Sequence, residues 1–313
     1  MRITLLTYGS RGDVEPFVAL GVGLTKAGYE VRLAAPAVFS SLAISRDVAF
    51  FGLPGRPERL IQGLVDAGGK GWPGMVRAAS RYAVPLAAEV FEGTRAACED
   101  AEGIVHSFLL TLAGHEIALE RGIPDVSAQL FPVFSKTTEF PAVVFRDLPL
   151  GATYRGITHG IVNQAFWQTS RFLYGWIRRS NPQLPRLRGW PFGRDNDRSP
   201  PILYAFSPRV VSPPEDWPED RQVTGYWFLE EARDWEPPED LVGFLKAGPP
   251  PVCVGLGSTV TRDRGRLSRM VMQALELSGR RGVIAGTGLP IEENRDDVFR
   301  AEYVPYGWLF PQA

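Results

Sequence analysis

The chain has 313 residues, 44% of them hydrophobic, which is enough for about two domains of ~100–200 residues, each with its own core. A net charge of -1 at pH 7 provides no basic field for nucleic acid, and two distant cysteines, Cys98 and Cys253, argue against a disulfide-stapled secreted module. No apolar run reaches the ~20 residues that cross a bilayer and the N-terminus reads as a strand, so a soluble, cytoplasmic protein with free thiols and no integral membrane segment is expected.

Ile3 to Thr7 is a short apolar run of the kind buried in parallel sheets. Gly9 and Gly12 let the chain turn after it. Val14, Phe17, Val18, Leu20, Gly21 and Leu24 then recur at roughly helical spacing, which predicts a helix with Asp13 at its N-cap and Pro16 in its first turn. Ser10, Arg11 and Gly12 can present backbone N–H groups and one cation to a phosphate there; an ordinary tight turn with a solvated arginine is the alternative. The Arg-Gly-Asp tripeptide is an accident of this turn and not an adhesion motif. A dehydrogenase is not indicated, because the loop lacks GxGxxG and no acid follows at the end of the second strand.

Further strands are expected at Tyr29 to Pro36, Val48 to Leu53, Gly103 to Phe108 and Asp125 to Leu130, with a helix from Leu112 to Arg121. Strands alternating with helices predict right-handed parallel βαβ units. From Phe131 to Pro191 aromatic and basic residues at helical spacing predict a helical excursion. Prolines thicken between Arg194 and Pro251, which reads as a strand plus a linker. Val252 to Gly257 is a further strand, Ser258 to Thr261 a loop, Arg264 to Gly279 a helix and Gly282 to Gly288 a strand. The expected domains are 1–210, a linker at 211–240, and a partial second domain at 241–313.

GSRGDVEPFVALGVGL, TGYWFL followed by Trp235-Glu236-Pro237-Pro238, PPPVCVGLGS and YVPYGWLFPQ, in that order, resemble the family 1 glycosyltransferases. The resemblance covers almost all of the chain and is strongest to the bacterial branch with sterol glucosyltransferases and antibiotic-aglycone glycosyltransferases. It implies an α/β fold of two facing Rossmann-like domains, the glycosyltransferase B type, with the acceptor held mostly by the first and a nucleoside-diphosphate sugar mostly by the second. It also implies metal-independent transfer with inversion, no cofactor and the nucleotide sugar as co-substrate. The family's His-Gly-Gly-Ala-Gly-Thr-like donor signature belongs just beyond Gln312, so the second domain is expected to be incomplete at Ala313. A shortened chain, a fragment whose other piece is separate, and a natural remnant are the three explanations.

Within that resemblance Asp13 is the base beside the acceptor hydroxyl; acting as a cap on the following helix is the alternative, and both roles can hold at once. Gly257, Ser258 and Thr259 meet the diphosphate and stabilise its charge as the sugar bond breaks. Val304 and Trp308 contact the nucleoside base, although a tryptophan in an apolar run is more often core. From the residues themselves, Phe108, Phe131, Phe134, Phe140 and Phe145 form an aromatic set on strand ends and loops. As a group they favour a flat or lipophilic acceptor, while singly such residues usually pack cores. His106 is a second polar group at a strand end, His115 and His159 read as helix residues, and no metal-ligand spacing appears.

The expected function is transfer of a sugar from UDP-glucose or a dTDP-sugar to a hydroxyl of a sterol, polyketide or aromatic aglycone. The alternative is a non-catalytic aglycone- or lipid-binding module, or an auxiliary partner, derived from such an enzyme.

Overall fold

The computed structural model describes residues 1–57, 84–182, 184, 186–193, 198–230, 235–257, 263–286, 289 and 296–313. Among these the chain forms two compact units, the first ending at Leu229 and the second starting at Glu230.

The first unit is built on a seven-stranded, all-parallel sheet in the order β3-β2-β1-β4-β5-β6-β7. Its strands are β1 (Arg2–Leu6), β2 (Glu30–Pro36), β3 (Ala49–Leu53), β4 (Gly103–Ser107), β5 (Asp125–Gln129), β6 (Ile202–Tyr204) and β7 (Arg221–Val223). Its longer helices among the described residues are α1 (Arg11–Lys26), α2 (Val84–Ala97), α3 (Thr111–Arg121) and α4 (Gly151–Ser180). Strand β1 is an inner strand, and Leu6 pairs with Ala34 on one side and His106 on the other. Leu5, Leu6 and Leu33 are fully buried, each contributing roughly 1.5–3 kcal/mol of apolar burial. The apolar runs at β1 and β2 follow from this position, since both faces of the sheet are covered.

The second unit carries a three-stranded parallel sheet in the order β10-β9-β8, from β8 (Val252–Gly255), β9 (Gly282–Ala285) and β10 (Val298–Ala301). Helix α5 (Arg264–Ser278) joins β8 to β9. Both sheets being parallel α/β layers agrees with the expected fold class.

Three details differ from the sequence reading. The N-cap of α1 is Ser10, in extended conformation, and Asp13 sits at the third helical position. The helix of the excursion covers only 151–180, because the stretch before it carries Pro132, Pro141 and Pro149, which break helical hydrogen bonding. Within the span 211–240, Arg221–Val223 pairs with β6 as the edge strand of the first sheet.

Candidate functional site

A parallel sheet with this strand order reverses its direction of winding between β1 and β4. Ligands of such sheets bind outside the carboxyl ends of the strands at that point. The loop after β1 therefore occupies the position where the fold offers a site, and it carries Gly9, Ser10 and the start of α1.

Asp13 is held there by a short network. Its Oδ2 accepts hydrogen bonds from the Ser10 amide at 2.7 Å and the Ser10 hydroxyl at 2.9 Å. The Thr7 hydroxyl donates to the Asp13 carbonyl at 2.9 Å. A carboxylate in the first helical turn also meets the positive end of the helix dipole. No hydrogen bond to Asp13 Oδ1 is made among the described residues, and the side chain is half-buried. One oxygen is thus anchored and the other is not.

The close approach explains Gly9. Its φ of +149° favours glycine, and an added Cβ would fall within 2.6 Å of Asp13 Cγ. We expect Gly9→Ala to displace the Asp13 carboxylate and cost about 1–3 kcal/mol of stability, read as a lower midpoint in urea denaturation. An unchanged midpoint would contradict the packing argument.

The other sequence candidates fall into distinct settings. Ser10 uses both its N–H and its hydroxyl on Asp13, so neither is open to a phosphate. Arg11 places Nε 2.7 Å from Glu15 Oε2 in an exposed i,i+4 pair, and Gly12 is exposed. His106 is fully buried, with Nε2 donating to Asp125 Oδ2 at 3.0 Å and Nδ1 without a partner among the described residues. It presents no polar edge to an open surface.

Phe108 follows β4, and Phe131 follows β5 on the same carboxyl edge; their rings meet at 5.4 Å. Phe134 is buried and packs edge-on against Phe166 at 5.1 Å and Trp190 at 5.0 Å, a core role. Phe140 lies 6.1 Å from the His159 ring, and its carbonyl accepts from His159 Nε2 at 3.0 Å. Phe145 is half-buried. Phe131 is 37% exposed and Phe134 2%, which separates a surface ring from a core one. Phe131→Ala is expected to raise KM for a lipophilic acceptor with little loss of stability, whereas Phe134→Ala is expected to cost ~3–5 kcal/mol by denaturation.

In the second unit Gly257 lies in a turn after β8 with φ +53°, while Ser258 and Thr259 lie outside the described residues. Val304 is buried, and Trp308 packs edge-on against Trp235 at 5.3 Å.

The sequence reading missed a buried cluster. Asp125 Oδ2 also accepts from His115 Nδ1 at 2.9 Å, so one carboxylate oxygen joins two buried imidazoles. Burial raises the Asp125 pKa, but the hydrogen bonds from His106 and His115 outweigh it and hold the carboxyl below its ordinary value. The available signal was a histidine inside an apolar strand and an aspartate opening the next one. Both cysteines are free, and burial pushes the Cys98 thiol up to about 12.

Comparison with known proteins adds three findings. Residues 3–116 match the glycosyltransferase family 28 N-terminal domain. The chain is 32% identical over 327 residues to a sterol 3-beta-glucosyltransferase of Leptosphaeria maculans, and 29% over 327 residues to one of Aspergillus terreus. Each alignment covers 100% of this chain and 22% or 23% of the relative, so the chain spans less than a quarter of the length of these curated relatives. The solved structure of the glycosyltransferase VinC in complex with dTDP shares the fold, with a TM-score of 0.56 and 17% identity over 100% of this chain and 74% of that one.

Proposed function

The chain belongs to the family 1 glycosyltransferases, and on that premise we propose that it transfers a sugar from UDP-glucose or a dTDP-sugar to a hydroxyl of a lipophilic acceptor such as a sterol, polyketide or aromatic aglycone. The observation that carries this reading is Asp13, a carboxylate fixed through one oxygen at the carboxyl edge of β1. In the proposed step Asp13 Oδ1 takes the proton of the acceptor hydroxyl as its oxygen attacks the anomeric carbon. The bond from that carbon to the diphosphate breaks, and the diphosphate leaves with the electron pair. A single displacement of this kind inverts the anomeric centre.

A carboxylate suffices as base if the proton leaves late, after the glycosidic bond has weakened. Gly257, Ser258 and Thr259 are assigned to the diphosphate, and Val304 and Trp308 to the nucleoside. The proposed division places the acceptor in 1–210 and the nucleotide sugar in 241–313, joined by 211–240. Phe108 and Phe131 support a lipophilic acceptor, as does the name of the fungal relatives. Free cysteines support a cytoplasmic setting.

The test is a panel of UDP- and dTDP-sugars against sterol, polyketide and phenolic acceptors, read by mass spectrometry of the products. A glycosylated acceptor is the expected result. Acceptor binding without any product would turn the reading to a binding module, and neither binding nor product would end it.

A further inference from the structure

The 30-residue helix α4 belongs to a stretch of unusual charge: residues 148–193 contain six arginines and no aspartate or glutamate, in a chain of net charge -1. Its outward side is also apolar. Ile157, Ile161, Ala165, Phe172 and Trp176 are exposed and follow one another at spacings of four or seven residues, which keeps them on one helical face about 28 Å long. Phe172 is 60% exposed, and Ile157 and Ile161 are each more than half exposed.

The same face holds two cations that no carboxylate neutralises among the described residues. Arg171 lies over the Trp167 ring at 5.5 Å and reaches Gln168, and Arg179 lies over the Trp176 ring at 5.4 Å. Beside Ile157 and Ile161 runs a groove of about 690 Å³, with the exposed Lys136 on its wall and glycines 156 and 160 at its floor. No described helix is long and apolar enough to cross a membrane.

A water-exposed protein face that pairs aliphatic and aromatic side chains with unneutralised arginines has the chemistry that suits the boundary between headgroups and acyl chains of an anionic bilayer. There the phenyl and indole rings enter the interface and the long arginine side chains reach phosphate. We propose that the exposed face of α4 seats the protein on an anionic lipid surface, lying on it and not spanning it. This docking does not depend on the transfer chemistry, so the two readings fail separately.

The test is co-sedimentation of the full chain with vesicles of phosphatidylcholine alone and of phosphatidylcholine with phosphatidylglycerol. Binding to the anionic vesicles is expected, with little to the neutral ones and release as salt rises from 0.05 to 0.5 M, since screening shortens to a few ångströms (~3 Å at 1 M). Each cation near such a surface is worth roughly five-fold in partitioning, so Arg171→Glu with Arg179→Glu is expected to cut binding by more than ~20-fold. Phe172→Gln with Trp176→Gln is expected to weaken it too. All four side chains are solvent-exposed or partly so, and circular dichroism checks that the variants fold. Equal binding to neutral vesicles, no binding, or binding that both double variants leave unchanged would overturn the proposal. So would a wild-type dimer in sedimentation equilibrium that the same variants dissociate, which would make the face a contact between two copies.

Discussion

On the proposed mechanism, Asp13→Asn is expected to lower kcat by ~10²–10⁴-fold, the usual contribution of a general base, while KM for the acceptor and the melting temperature stay near wild type. The asparagine side-chain oxygen can still accept from the Ser10 amide and hydroxyl, so the α1 cap survives and only proton acceptance is lost. Steady-state kinetics with both substrates varied reads the effect. Retention of most of the turnover by a folded variant would remove Asp13 from the chemistry and leave it as part of the cap.

The second large effect is on stability. Asp125→Ala strands two buried imidazole N–H groups, those of His106 and His115, inside the first unit. Leaving a buried donor unsatisfied costs ~1–3 kcal/mol, about 3–5 kcal/mol for the two together. For a unit of this size that corresponds to about 6–20 °C in melting temperature. The pH dependence has a definite sign. Because the folded pKa of Asp125 lies below the unfolded value of ~3.9, its contribution is complete above that value and is lost as pH falls through the folded pKa. Wild type should therefore lose stability on acidification below about pH 4, and the variant should show a flatter curve there. A variant as stable as wild type at pH 7 would mean that the cluster contributes nothing net.

Much of the first sheet was legible because its strands are short apolar runs bounded by turn residues. Glu30–Pro36, Ala49–Leu53, Gly103–Ser107 and Asp125–Gln129 lie within a residue of the expected spans. Strand β7 was not legible: three residues with a polar centre, Arg221–Val223, carry no period, and only pairing with β6 defines them. The helix start after β1 was legible, but its cap was assigned three residues too late. Either Ser10 or Asp13 suits an N-cap, and their joint use appears only once Asp13 turns back on Ser10. The His106–Asp125–His115 cluster was hidden because its members are 10 and 19 residues apart and meet only through the β4–β5 pairing and the helix packed on it. Of the aromatic set, Phe108 and Phe131 pack on each other at the carboxyl edge while Phe140 packs on His159. The division of the set into buried Phe134 and exposed Phe131 required the packing of Phe166 and Trp190 around one of them.

The anomeric configuration of the product, determined by NMR after reaction with an α-linked UDP- or dTDP-sugar, tests the single displacement proposed for Asp13 most directly. The account predicts a β-linked product formed at the same rate with and without a metal chelator. An α-linked product would require a different chemistry, and Asp13 could not then act as the base of a one-step transfer.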